Sequence, residues 1–177
     1  MTTVGPNYPG TAANVDRAAG LAWSNTGSIA TDDASYATVG TDVNTDYLVA
    51  SNFGFSIPAG SIIDGILMEL VGKTSRVGTY DDGVVSLTKN AGSSFVGDNK
   101  ADAALNWTAA DQARSYGSSS DDWNAGLTAD DVNASGFGIA LAMNFIGQSA
   151  TISVDYMRLT VTYTLPTGFT GIGIPIF

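Results

Sequence analysis

Phe137-Gly-Ile-Ala-Leu-Ala-Met-Asn-Phe145 decides the fold: Phe137, Ile139, Leu141, Met143 and Phe145 share one face, while Gly138, Ala140, Ala142 and Asn144 share the other. Side chains alternate sides along an extended chain, so this period of two marks a strand with one face on a core. Upstream, Tyr47, Val49, Phe53, Phe55 and Ile57 keep the same parity, and Pro58-Ala-Gly60 then turns the chain into Ile62 to Val71, apolar enough to be covered on both faces. Downstream, Ile152, Val154 and Tyr156 are even-numbered whereas Met157, Leu159, Val161 and Tyr163 are odd. One inserted residue flips every side chain to the other face, so the parity change predicts a bulge near Asp155-Tyr156.

Shorter runs at Tyr36 to Val39, Val84 to Lys89 and Ser94 to Gly97 read as strands between Gly, Asn and Asp turns. Thr128 to Asn133, with Thr128 as cap, and Thr108 to Ala113 read as short helices. Many short strands at this spacing predict an all-β chain, an antiparallel β-sandwich or jelly roll with short helical turns and extended N- and C-terminal arms. The pattern divides it into an N-terminal arm (1–20), a sandwich domain (21–164) and an apolar tail (165–177) broken by Pro166, Gly168, Gly171, Gly173 and Pro175. In the tail, Phe169, Ile172, Ile174, Ile176 and Phe177 cannot build an element of their own, so they are expected to form an assembly interface against a neighbouring subunit.

The 177 residues contain no histidine, no cysteine and a single glutamate, Glu69. That removes Ser-His-Asp and Cys-His nucleophiles, His and Cys haem ligands and tetrahedral N/S zinc sites, each of which needs those side chains. The formal net charge of −10 has the wrong sign for a nucleic-acid partner. No run approaches the roughly 20 apolar residues of a membrane helix. Residues 1–10 show no basic, apolar leader, so the expectation is synthesis in a host cytoplasm without a signal peptide.

Four acidic pairs, Asp32-Asp33, Asp81-Asp82, Asp121-Asp122 and Asp130-Asp131, bring carboxylates of the kind Ca²⁺ takes. Each lies beside Gly, Ser or Ala, and Asp in turns bonds the backbone, so turn formation and solubility are the preferred reading and no metal or other cofactor is expected. Glycoside hydrolysis needs two facing carboxyl groups, and no spacing singles out such a pair. No catalytic residue is assigned. Trp23, Trp107 and Trp123, with Tyr80 and Tyr116, could stack on sugar rings; Trp107, Tyr116 and Trp123 are the candidate glycan contacts, although filling the core is the preferred role. Asn106-Trp-Thr108 and Asn133-Ala-Ser135 match the glycosylation sequon, which has meaning only with secretion. Arg158, alone among apolar residues, is expected to pair with an internal carboxylate such as Asp155.

Several segments resemble, in order and spacing, a β-sandwich module of tailed-bacteriophage structural proteins. They are Trp23-Ser-Asn, Asp33-Ala-Ser-Tyr36, Asn52 to Ile66, Asp122-Trp123, Leu127 to Asn133, Phe137-Gly-Ile139 and Val154 to Tyr163, covering residues 20–164. The resemblance implies a jelly-roll-like domain on a virion surface, as a capsid decoration (cement) protein or a fibre head, and transfers no catalytic residue. The expected function is therefore a non-enzymatic virion structural protein that decorates and stabilises the capsid. Its expected partners are the major capsid protein or other virion subunits and further copies of itself, a trimer being favoured. The alternative is a carbohydrate-binding receptor module of a tail fibre or spike.

Overall fold

The computed structural model describes residues 1–104 and 106–167 and turns the alternating runs into two antiparallel sheets. In chain order the strands are β1 (Thr2–Asn7), β2 (Thr11–Val15), β3 (Ala37–Thr41), β4 (Tyr47–Ser51), β5 (Ile62–Thr74), β6 (Tyr80–Thr88), β7 (Gln112–Gly117), β8 (Gly138–Phe145) and β9 (Ala150–Thr164). A 3₁₀ turn spans Thr26–Ala30 and one short helix, α1, spans Ala129–Asn133. The first sheet has the order β1-β9-β5-β7, with β3 also on β9, and the second β2-β4-β8-β6. Strand β9 is the spine of the first sheet: β5 pairs along one side, and on the other β1 takes its C-terminal part and β3 its N-terminal part.

From β3 onward successive strands alternate between the sheets, giving the spatial orders β3-β9-β5-β7 and β4-β8-β6. The Val96 N–H donates to the Leu87 carbonyl at 2.9 Å and the Lys100 N–H to Val85 at 2.8 Å, so residues 96–100 lie beside β6 where a jelly roll has its remaining strand. The expected strand at Ser94 to Gly97 thus survives as a single bridge, Leu87 to Val96. The same segment covers the outer edge of β6, where unpaired backbone would otherwise invite a foreign strand.

The core is where alternation placed it. Phe53, Phe55, Ile57, Ile66, Met68, Leu70, Ile139, Leu141, Met143 and Val161 are all buried. The bulge in β9 is also present: Val71 pairs with Tyr156 and Gly72 with Val154, leaving Asp155 as the extra residue. The insertion lets Ile152 and Val154 on one side of it, and Met157, Leu159 and Val161 on the other, all enter one core. Tyr156 already belongs to the second register and stands on the outer face opposite Val71, not with Ile152 and Val154. Two more bulges, at Asp64 in β5 and Gly83 in β6, follow from the same kind of register shift.

Four expectations change. Residues 1–20 are no free arm: β1 pairs with β9 in one sheet and β2 with β4 in the other, because edge strands tolerate Gly and Pro where one side needs no ladder. Phe53 to Ile57 buries its apolar side chains outside regular strand pairing. The β5 segment is buried on one face only, its outer residues Leu67, Glu69, Val71 and Lys73 being half-exposed. The helix expected over Thr108 to Ala113 is absent; Gln112 opens β7, whose Arg114 and Tyr116 lie opposite Leu70 and Met68 on the core side. Helix α1 forms as read, with Thr128 Oγ1 accepting from the Asp131 N–H at 3.1 Å and the Asp131 carboxylate accepting from the Thr128 N–H at 2.9 Å.

Candidate functional site

The richest cluster of functional groups lies inside the sandwich. Asp82, on the inner side of β6, accepts from Trp107 Nε1 at 2.7 Å, from the Tyr116 hydroxyl at 2.7 Å and from Arg114 Nη1 at 3.3 Å. Arg114 Nη2 reaches the Asn106 carbonyl at 2.9 Å, and its guanidinium lies 4.6 Å from the centre of the Trp107 ring. Burial, reinforced by the Asp82 carboxylate, pushes the Tyr116 phenol well above its ordinary pKa. A carboxylate, a guanidinium and a phenol together resemble an acid-base set, but Trp107, Asp82, Arg114 and Tyr116 are all buried and bonded to one another. The cluster ties β6 and β7, from opposite sheets, to the loop between them.

The other singled-out residues are likewise committed to structure. Trp107 and Trp123 are fully buried and Tyr116 is 6% exposed, so these three candidate glycan contacts have no ring face for a sugar. Each tryptophan spends its indole N–H inside: Trp23 on the Asp46 carbonyl at 2.9 Å, Trp107 on Asp82 and Trp123 on the Ile66 carbonyl at 2.8 Å. Three of the acidic pairs build turns or a cap. Asp33 accepts from the Ser35 N–H at 2.9 Å, Asp121 from the Trp123 N–H at 2.9 Å, Asp122 from the Asn124 N–H at 3.0 Å, and Asp131 caps α1. The fourth, Asp81-Asp82, is not a turn but part of β6, one residue on each face. Among the described residues no three His, Cys, Asp or Glu side chains converge as metal ligands.

Arg158 does not pair with Asp155. Strand register sets it opposite Glu69, and the two form a forked pair, Nε to Oε2 at 3.1 Å and Nη2 to Oε1 at 3.2 Å, on the outer face of the first sheet. Asp155 is buried, its Oδ1 without a hydrogen-bond partner among the described residues, and burial raises its pKa.

What remains for interaction is the distribution of exposed apolar side chains. Among the described residues the large ones are Met1, Leu21, Val43, Ile62, Val77, Ile146 and Leu165. Strand register sorts them to the two ends of the sandwich. Ile62 pairs with Thr164 and Thr2 with Tyr163, so Met1, Ile62 and Leu165 surround the point where β9 ends. At the opposite end, the Leu21 N–H donates to Asn44, Asn44 Oδ1 accepts from the Phe145 N–H, and the Ile146 N–H donates to Thr79; this chain of bonds gathers Leu21, Val43, Ile146 and Val77. The flat faces carry none of the seven.

The end where β9 stops also holds a groove of about 470 Å³ lined by Gly60 to Ile63, Asp122 and Gly126 to Asp130. Pro166 sits at its rim, its Cβ 3.8 Å from the place a Cβ on Gly60 would occupy. No protein-family model matches the chain, and no curated protein matches it. The groove and the two apolar ends are therefore judged by their own chemistry.

The expected assembly residues Phe169, Ile172, Ile174, Ile176 and Phe177 lie outside the described residues. Sequence reading missed the exposed apolar residues on the sandwich itself. Their signal is a large apolar side chain inside a polar turn, as in Asp42-Val-Asn44 and Arg76-Val-Gly78, where no sheet is available to bury it.

Proposed function

We propose that this protein is a non-enzymatic structural subunit of a tailed-bacteriophage virion, decorating and stabilising the capsid through contacts at the ends of the sandwich. The observation that carries the reading is that, among the described residues, the exposed large apolar side chains are confined to those two ends, beside an interior whose ionisable cluster is closed to substrate. Apolar patches on an otherwise polar surface mark places where protein meets protein. A subunit that binds only when folded gains stability on assembly by mass action, and a capsid supplies the high local concentration. The formal charge of −10 keeps the unassembled subunit soluble, and the lack of cysteine spares it redox sensitivity. The resemblance of residues 20–164 to phage sandwich modules supplies the kind of particle. The carbohydrate-receptor alternative loses its aromatic platform, since Trp107, Tyr116 and Trp123 are inside.

The test is location. Purified virions from the source of this gene, probed with gold-labelled antibody to the sandwich, should be labelled over the capsid surface, and the protein should be present in many copies per particle. Labelling confined to the tail, or absence of the protein from purified virions, would overturn the proposal.

A further inference from the structure

We infer that the free edge of β7 pairs with the β7 edge of a second copy of this chain, antiparallel across a two-fold axis, so that the first sheets of the two copies join into one. The contact lies on the side of the sandwich and not at its ends, so it goes beyond the capsid reading and does not depend on it. Among the described residues the edge strands are β1, β3 and β7 in the first sheet and β2 and β6 in the second. An open edge invites a further strand, and proteins close or break such edges to prevent it. Here every edge but one is so treated. Ser24 exchanges both backbone bonds with Thr38 of β3, at 2.8 and 3.0 Å. The Thr26–Ala30 turn packs on β2, and Thr26 Oγ1 donates to the Ala12 carbonyl at 3.3 Å. Residues 96–100 line β6, where Asn99 Oδ1 also accepts from the Val85 N–H at 2.8 Å. Strand β1 is interrupted by Pro6, which has no N–H, and by a register shift between Val4 and Asn7. Strand β7 has no proline and no register shift. Outside its ladder to β5, no hydrogen bond among the described residues reaches the backbone of Ala113 or Ser115, and both residues are exposed.

The direction of the backbone groups shows what this edge offers. The Thr74 and Ile66 N–H groups turn away from β9, to the Thr108 and Asp121 carbonyls, whereas the Ser75 N–H turns to Thr151 in β9. Backbone groups alternate along a strand, so the even-numbered residues of β5 bond β7, and their partners there are Gln112, Arg114 and Tyr116. The N–H and carbonyl groups of Ala113 and Ser115 therefore point outward, donor and acceptor together, and an antiparallel copy of the same strand matches them. Charge also favours a second copy here. Each chain carries −10, so copies repel over much of their surface, but the charges on the sheet beside β7 are already paired: Lys73 with Asp111 at 3.2 Å, Glu69 with Arg158 at 3.1 Å and, inside, Arg114 with Asp82 at 3.3 Å. The side chains of Ala113 and Ser115 are small and uncharged, so nothing holds two backbones apart. Symmetry about Ser115 sets that residue against its own copy and Arg114 of each chain opposite Tyr116 of the other, whereas symmetry about Arg114 would set two guanidinium groups side by side. A two-fold contact consumes both free edges and stops at a dimer.

The experiment uses the full chain, in which no native cysteine competes with an introduced one. By light scattering after size exclusion, the full chain should have twice the chain mass. Ser115→Pro removes an outward N–H, which an edge strand tolerates, and Ser115→Lys places a charge on each side of the axis. Both variants should be monomers with the circular dichroism spectrum and cooperative melt of the parent, and Ile62→Asp and Ile146→Asp, at the two ends of the sandwich, should remain dimers. Ser115→Cys should be bridged between chains by dibromobimane, a short reagent that fluoresces once both its arms carry a thiol. Ala113→Cys should not, because in this register its two copies are about 13 Å apart along the strands. A full chain that is monomeric at millimolar concentration, a dimer that survives Ser115→Lys, a dimer lost with Ile62→Asp or Ile146→Asp, or bridging at position 113 as strong as at 115 would each overturn the inference.

Discussion

Arg114 reaches across from β7 to Asp82 on β6, its Nη1 3.3 Å from each carboxylate oxygen, with the two side chains 4% and 0% exposed. A charge pair so far from water is held by geometry and by its neighbours, here Trp107 and Tyr116 on the carboxylate and the Asn106 carbonyl on the guanidinium. Removing one partner strands the other, because a buried unpaired charge has lost both its solvent and its counter-ion.

Asp82→Ala should therefore destabilise the fold by about 3–5 kcal/mol, and Arg114→Ala by a similar amount. The double variant Asp82→Leu/Arg114→Met should recover most of that loss, since no stranded charge remains. Urea denaturation of the three variants checks this; additive losses would show that the pair is not coupled.

The sandwich core makes a simpler prediction. Leu141 is fully buried on the central strand β8, between Leu48 of β4 and Val85 of β6, so Leu141→Ala should cost about 2–5 kcal/mol through lost burial and the cavity left behind. Ile146, just beyond β8 and 50% exposed, should tolerate the same truncation within about 0.5 kcal/mol.

How much of this was legible in the sequence depends on which side chains carried the signal. The β8 strand was readable because its inward residues are all apolar, and the bulge at Asp155 because it breaks a parity that apolar residues define. Strand β7 was not: its inward residues are Arg114 and Tyr116, polar groups that enter the core only because Asp82, more than 30 positions earlier, receives them. Strands β1 and β2 were hidden by Gly5, Pro6 and Gly10, which would break a central strand but not an edge. The Arg158 partner required the register of β5 against β9, a relation between residues 89 positions apart that no local pattern encodes. The ends of the sandwich, where the candidate site lies, are set by which loops the topology gathers, and only their apolar residues were there to be read.

Gly72 tests the link between the sheet and the buried cluster. A Cβ at that position would run into the Trp107 ring and approach the Ser153 carbonyl oxygen to 2.7 Å, so glycine is required by close packing. Gly72→Ala should push the indole off Asp82, destabilise the protein by about 1–3 kcal/mol and change the Trp107 fluorescence. In a Trp107→Phe background the fluorescence change should vanish. An unchanged emission spectrum in the single variant would mean that the ring does not pack on Gly72.

The pH dependence follows from groups shifted in opposite directions. Burial raises the pKa of the Asp81 carboxyl, against the Asn144 side chain, and that of Asp155. A carboxyl raised in the folded state takes up its proton before the unfolded chain does, so its contribution grows as pH falls from neutral and is complete below the unfolded value of about 4. Asp33 is held low by the Ser35 N–H; Asp131 is also low, since the Thr128 N–H and Lys89 outweigh its burial. Their contributions are present above about 4 and lost as pH falls through their depressed values. Stability should thus rise on acidification from pH 8 towards about 4–5 and fall below it. Relief of the overall negative charge acts in the same direction, so the decisive comparison is at constant ionic strength between Asp155→Asn and Asp102→Asn, which remove one charge each from a buried and an exposed site. Thermal melts should show the acid-side rise flattened by Asp155→Asn more than by Asp102→Asn. On the alkaline side the raised Tyr116 phenol makes stability fall above about pH 10, and Tyr116→Phe should flatten that limb. Equal slopes for the two Asn variants would show that general charge repulsion, not the buried Asp155 carboxyl, sets the acid-side response.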